Sequence, residues 1–411
     1  MATANTVSTL TGLFKERYAP RLERLRPEEF KFQNAVNFEK RRRLGNIFHQ
    51  PVVLKGEHGA TYAASGDGAF QLDNPVAGQI EDAQVQGSQF VLRGAIDFES
   101  LAKGSNGEEA SFEDSNSLLL ENMMMTAKQR LEISLLYGQD ELGTVASAGA
   151  SDFVITTAEW APGIWSGMEG ARLEIFDSAG TIQRPGIATI TAVDIVTRTI
   201  TVDTLPTGTT GTDRVFFKTE HTTSAEKNMA GIHKILTNTG VLFNISATTY
   251  SLWKANSVAN GGGNLTFETA QDAVAISMGK GFKGDATLFI NVSTWAKLMT
   301  DQAALRQYID PNRSGNYEVG AEKMTFYSQA GKLTIEASIM VKEGYAYLLQ
   351  PEKNWTRIGA TDITFKVPGR GGDLYRQMDG AAGIEIQCYY HQAIFSKMPG
   401  RACLITGIVN S

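Results

Sequence analysis

One stretch constrains this chain more than any other: "SNSLLLENMMMTAKQRLEISLLYG", Ser115 to Gly138. Leu120, Met123, Met124, Ala127, Leu131 and Leu135 recur at helical spacing with no Gly or Pro among them, which predicts one long apolar-striped helix stopped by Gly138. Ser111 and Asp114 precede it in capping-box spacing, so the helix is read from about 112 to 137, roughly 40 Å at about 1.5 Å per residue. That exceeds the average globular helix, so the element is a spine rather than an ordinary packing unit. Helical spacing also makes core packing the default reading of Met123, Met124 and Met125, ahead of a pliable binding surface.

The flanking text is of another kind. Residues 1–45 read as an arm with helical pieces, in which Leu22, Leu25, Phe30, Phe32, Val36 and Phe38 are too sparse for a core of their own and need a partner surface. From about 46 to 100, two β-prone runs, Pro51 to Lys55 and Ser88 to Phe98, flank a Gly-, Ala- and Asp-rich middle with almost nothing to bury. This predicts a long projecting hairpin, a shape unstable alone. Residues 101–151 hold the spine helix. Residues 152–220 are short alternating runs between Gly, Pro, Asp and Thr turns, such as "GIATITAVDIVTRTITVDTLPTG", and predict a small all-β insert, a barrel or sandwich. From 221 to 370 the pattern mixes helices (Thr248 to Val258, Thr266 to Met278, Thr294 to Tyr308) with strands such as Ala286 to Ile290. Strand-rich text continues through 371–411, including "GIEIQCYYHQAIFSKM" and "ACLITGIV". The order is α+β, without the regular alternation of a doubly wound sheet.

The totals exclude several functions. At 411 residues, 42% apolar and 20% charged, the chain can bury a sizeable core. A net charge of -6 argues against gripping nucleic acid as the main task, while leaving room for a local basic patch. No signal-peptide pattern and no run long enough for a membrane helix is present, so synthesis in the cytoplasm and no membrane partner are expected. Cys388 and Cys403 sit in apolar, strand-like text and read as buried free thiols.

Catalytic signatures are missing. "GKGFKG" places Gly279, Gly281 and Gly284 in G-x-G-x-x-G spacing, but a helix precedes it and a strand follows, the reverse of a phosphate-cradling loop, so it reads as a helix stop and turn. No G-x-S-x-G, H-E-x-x-H or Cys-x-x-Cys occurs, and His49, His58, His221, His233 and His391 are scattered. No catalytic, cofactor or metal residue is assigned. The run Lys40, Arg41, Arg42 and Arg43 could meet a nucleic-acid backbone, but Glu23, Glu28, Glu29 and Glu39 dilute its field, which favours contact with protein.

Arm, hairpin, spine helix, β insert, mixed domain and terminal strands, in that order, resemble the major capsid protein of tailed double-stranded DNA bacteriophages, the capsid fold first seen in the Hong Kong ninety-seven phage. "VVLKGEHGATYA" looks like the ascending limb of that family's extended loop, and "SLLLENMMMTAKQRLEISLLYG" like its spine helix. "AGIHKILTNTGVLFNISATTYSLWKAN" resembles the entry to an axial domain, and "ATLFINVSTWAKLM", "YSQAGKLTIEAS" and "EGYAYLLQPEKNWTRIG" resemble its central sheet and helix.

The resemblance implies a non-enzymatic subunit assembling into hexamers and pentamers of an icosahedral head around double-stranded DNA, without sequence-specific binding. It implies a virion location after assembly in the host cytoplasm, and as partners a portal, a separate scaffolding protein and a decoration protein. Because the arm begins close to the hairpin, no cleaved scaffolding segment is expected in this chain. Arg41, Arg42, Arg43, Lys55, His58, Tyr62 and Asp67 are the expected intersubunit contacts. The founding member's Lys to Asn crosslink is not carried over, since Lys55 has no matching Asn or catalytic Glu. Two alternatives stand beside this reading: an encapsulin-like nanocompartment shell, and a β-rich hydrolase whose site assembles only in space.

Overall fold

A computed structural model describes residues 25–40, 47–100, 115–223, 226–300, 323–366 and 374–410. The long helix runs Ser115–Tyr137. Its final two turns, Leu131 to Tyr137, are buried on every side, so the stripe visible in the sequence widens into a helix sunk in the core. Gly138 ends it for a steric reason: a Cβ there would lie 2.2 Å from the Met229 carbonyl oxygen and 2.6 Å from that of Ser134. Only a glycine lets these backbones approach so closely.

The helix lies on a sheet. Strand β1 (Phe38–Lys40) precedes a two-stranded ribbon of β2 (Phe48–Lys55) and β3 (Gln79–Val85), and β4 (Ser88–Asp97) follows. β4 pairs antiparallel with β20 (Gly383–Ser396), from Asp97 opposite Gly383 to Ser88 opposite Gln392. β20 also pairs with β18 (Trp355–Thr364) and β19 (Tyr375–Gln377), and β1 adds to β18 in parallel. Met123 and Ala127 of the helix pack on Ile386 and Cys388, and Gly94 of β4 leaves the space that the Met123 sulfur fills. The hairpin therefore returns through β3, and the Ser88 to Phe98 run expected as its second limb instead joins β20.

A closed six-stranded barrel follows, built from β5 (Gly143–Ala148), β6 (Asp152–Ile155), β7 (Arg172–Phe176), β8 (Ala188–Asp194), β9 (Thr199–Val202) and β10 (Arg214–Phe217). Alternate side chains such as Val145, Phe153, Ile175, Ile190, Ile200 and Val215 fill it. Its first strand lies ahead of residue 152, where the sequence turns visibly β-rich.

After a short ribbon of β11 (Val241–Leu242) and β12 (Ile245–Ser246), a six-stranded mixed sheet forms in the order β13-β21-β17-β14-β16-β15. These strands are β13 (Asn256–Ala259), β14 (Ala286–Asn291), β15 (Lys323–Tyr327), β16 (Lys332–Ser338), β17 (Tyr345–Leu349) and β21 (Cys403–Thr406). Period-two alternation splits its burial. Leu288, Ile290, Leu348 and Ile405 join the cluster of the helices Phe267–Met278 and Val292–Thr300, while Phe289, Tyr347, Leu349 and Leu404 join the central core.

The helix expected at Thr248 to Val258 is absent: a 3-10 turn at Ser251–Trp253 leads into β13, which pairs in parallel with β21. Tertiary pairing overrides a weak local signal there. The helix expected over Thr294 to Tyr308 is Val292–Thr300, and 301–308 lie outside the described residues. Gly279 caps the Phe267–Met278 helix and Gly281 and Gly284 take positive φ, as a helix stop and turn require. Both cysteines are free and buried.

Candidate functional site

The projecting ribbon is the most exposed part of the described chain. Along β2, Phe48, Val52 and Leu54 rest against the core while His49, Pro51, Val53 and Lys55 point out. Pairing runs from Phe48 opposite Val85 to Lys55 opposite Gln79, and beyond it one isolated bridge joins His58 to Val76. The tip is held by local bonds: Ala64 N donates to Asp67 Oδ2 at 2.8 Å, and Asp73 N to Thr61 Oγ1 at 2.8 Å. No residue from Lys55 to Ile80 is buried. Large apolar side chains stand in water there, with Tyr62 93%, Leu72 74%, Ile80 67% and Phe70 51% exposed.

Of the residues read from the sequence as contacts, Lys55, His58, Tyr62 and Asp67 all fall on this arm, and none of them is buried. Arg41, Arg42 and Arg43 lie outside the described residues, directly after β1.

The opposite character appears where the helix, the barrel and the mixed sheet meet. Lys342, 1% exposed, contacts the Glu159 carboxylate and donates from Nζ to the Glu141 carbonyl at 2.9 Å. Tyr345 donates to the other Glu159 oxygen at 2.6 Å, and Tyr137 accepts from the Lys342 amide at 3.0 Å while donating to the Met340 carbonyl. His233 completes the knot, with Nδ1 2.9 Å from the Tyr347 hydroxyl and Nε2 3.4 Å from Asp140 Oδ2. Burial alone would lower the Lys342 pKa, but Glu159, Glu141 and Asp140 together raise it above the ordinary lysine value. Burial would raise Glu159, yet the facing ammonium and its hydrogen bonds hold it below the ordinary value. Burial, helped by Lys342, lowers His233 to about 4, so it is neutral at pH 7.

A second buried carboxylate, Glu132, accepts the amides of Phe32 and Gln33 at 2.7 and 2.9 Å and so ties the incoming arm to the helix. Burial raises it to about 7, against the pull of those amides. Sequence reading misses both clusters, because Glu159 and Lys342, or Phe32 and Glu132, are brought together only by the fold and carry no local signal.

The ammonium, carboxylate and hydroxyls of the knot are paired with each other and with backbone groups, and Lys342, Tyr137 and Tyr347 are buried. Among the described residues no group of three or more His, Cys, Asp or Glu side chains is placed to hold a metal ion, and no helix is long and apolar enough to cross a membrane.

The mixed α+β architecture is that of phage capsid proteins. The chain is similar to a chain of the cyanophage A-1(L) capsid asymmetric unit, at a TM-score of 0.57 and 10% identity, covering 98% of this chain and 99% of that one. It is similar also to the capsid of the native GTA particle (TM-score 0.55, 9% identity, 99% and 100% covered) and to the capsid of Myoviridae phage XM1 (TM-score 0.53, 7% identity, 99% and 100% covered). At these identities the likeness establishes a shared fold over the full length. No protein-family model matches the sequence, and no curated protein matches it.

Proposed function

We propose that this chain is the structural subunit of a phage-type shell, assembling into hexamers and pentamers that enclose double-stranded DNA. The observation that carries the reading is the ribbon from Lys55 to Ile80, which buries nothing in its own subunit, on a chain whose whole length takes a capsid fold. Burial of Tyr62, Phe70, Leu72 and Ile80 against a second copy would contribute about 1.5–3 kcal/mol each. Head-to-tail contacts of this kind are heterologous and close into rings. Lys55, His58, Tyr62 and Asp67 are the contacts we assign to the ribbon, and Arg41 to Arg43 those of the arm. The work is structural, not enzymatic, in the virion after assembly in the host cytoplasm. A scaffolding protein, a portal and a decoration protein complete the set of partners, and the DNA is enclosed without sequence recognition. The helix Ser115–Tyr137 serves as the spine of the plate and the barrel as its insert.

Negative-stain electron microscopy of the purified chain, expressed alone and with a scaffold encoded beside it, tests this. Closed shells or rings of five and six are expected. Compact monomers under both conditions would overturn the proposal and return the hydrolase reading to the front.

A further inference from the structure

The loop with G-x-G-x-x-G spacing has a second property that its helix-stop role does not use. The turn Gly279 to Asp285 sits at one corner of the mixed sheet, where three other segments converge on it. Lys280 Nζ donates to the Lys254 carbonyl at 2.7 Å, and a Cβ on Gly400 would lie 3.2 Å from the Lys280 side chain. Positions for a Cβ on Gly281 and Gly284 lie 3.7 Å from the Arg401 guanidinium and 3.0 Å from Lys353 Nζ. Gln350 donates to the carbonyls of Lys283 and Asp285 at 2.9 Å each, and the Lys397 amide donates to Asn354, beside Lys353, at 2.9 Å. Four stretches of chain thus deliver Lys254, Lys280, Lys283, Lys353, Lys397 and Arg401 to one corner.

Among the described residues none of these six cations is in an ion pair. Lys254, Lys283, Lys353 and Lys397 are exposed, and Lys280 and Arg401 are half-buried. The carboxylates nearby are Glu352 and Asp285, whose Oδ1 accepts the Lys332 amide at 3.1 Å. In a chain with net charge -6, a surface left to itself would intersperse the signs, since gathered like charge destabilises the compact state.

We infer that this corner is a binding surface for the phosphate backbone of duplex DNA. The chemistry is that of non-specific backbone contact: five lysines, which are mobile and strongly hydrated point charges, and one arginine. Four loop amides are already occupied, Lys280 N and Phe282 N by Ser277 O, Gly281 N by Met278 O and Gly284 N by Ala330 O, so side chains rather than a phosphate nest meet the anion. The exposed Leu252 and Met398 beside the lysines make an acidic protein face the competing occupant. Lysine is depleted in protein interfaces, which favours the nucleic acid. The inference goes beyond the shell reading and deepens its DNA partner, but it belongs to the single subunit and does not require assembly.

The test is fluorescence anisotropy of a random-sequence duplex of about 30 base pairs, titrated with dissociated full-length subunits at several salt concentrations. Lys254→Gln, Lys283→Gln, Lys353→Gln and Lys397→Gln combined change only exposed side chains. They should weaken binding about tenfold or more at low salt and make the log-log salt dependence shallower by up to about 3.6, near 0.9 for each phosphate that no lysine neutralises any longer. A control of Arg172→Gln, Lys218→Gln and Lys227→Gln should stay within about twofold, as expected for charges away from the bound duplex. Unchanged binding in the four-lysine variant, or no low-salt binding by the parent chain, would overturn the inference. A variant that binds duplex normally but no longer forms shells would overturn it too, and would assign the corner to an acidic face of another copy. Subunits that bind through the corner yet never assemble would sink the shell reading and leave this one standing.

Discussion

The ribbon and the buried knot hold similar residue types to opposite effect. Lys55, Tyr62 and Asp67 stand in water on a two-stranded ribbon, whereas Lys342, Tyr345 and Glu159 are closed in where three substructures meet. The first set makes no contact that ties the ribbon to the core, Asp67 bonding only within the tip, and the second is bound to one arrangement of helix, barrel and sheet. A lone buried charge is costly unless its partner is present, so the knot tolerates one geometry only. The contrast separates two kinds of stability, that of the subunit and that of whatever it builds.

The sharpest way to break the comparison is to remove one ammonium from each side. Lys342→Met leaves Glu159 buried without its counter-ion and should destabilise the subunit by about 3–5 kcal/mol. Urea unfolding followed by the fluorescence of buried Trp160 and Trp165 reads this. Adding Glu159→Gln removes the orphan charge and keeps an acceptor for Tyr345, so part of the stability should return. Lys55→Met on the ribbon should change the same transition by less than about 0.5 kcal/mol. Equal effects at the two sites would erase the distinction.

A smaller effect sharpens it through pH. His233 is held near 4, below its ordinary 6.5, so the unfolded chain binds the proton first: its contribution is complete above about 6.5 and fades as pH falls toward 4. Asp140, Glu159, Glu141, Lys342 and Lys234 surround it, and burial outweighs the carboxylates. Glu132 runs the other way. Raised from 4.5 to about 7, it favours the fold most below 4.5 and loses that contribution as pH rises through 7, and Glu141 and Glu220 are raised in the same direction. Glu159, lowered, adds a loss only as pH falls below 4.5. Replacing His233→Gln should therefore make stability fall more steeply with rising pH, by about 1 kcal/mol per unit between pH 4.5 and 6. Urea midpoints across that range measure it, and parallel curves for parent and variant would remove His233 from the account.

Legibility in the sequence follows the same divide. The helices Ser115–Tyr137 and Phe267–Met278 and the strands Ala286–Asn291 and Cys403–Thr406 are readable because each carries its apolar residues in a local pattern. The projecting stretch is readable because it lacks apolar period altogether. Its return limb misleads, since Gln79 to Val85 carries Glu81, Asp82 and Gln84 on a half-covered ribbon, whereas Ser88 to Asp97 looks more like a strand and belongs to β20. The Thr248 to Val258 stretch misleads because parallel pairing with β21 decides it from about 150 residues away. The knot is invisible for the same reason: Glu159 and Lys342 meet across 183 positions.

A small expected effect on the subunit is also the most informative about assembly. Removing Gly59 to Pro75 and rejoining the chain deletes residues of which none is buried, and replaces the isolated bridge between His58 and Val76 with a direct peptide bond. Cutting the loop between Lys55 and Gln79 to about a quarter of its length lowers the closure cost by only about 1.2 kcal/mol, so the urea transition should move little and not downward. The deletion also removes Tyr62, Phe70 and Leu72, the apolar contacts that a neighbouring copy would cover. Electron microscopy of the trimmed chain should then show folded subunits without stable shells. Normal shells would strip the ribbon of its assembly role, while a large drop in the urea transition would mean that the ribbon supports its own subunit after all. Only intact folding with failed assembly keeps the two kinds of stability apart.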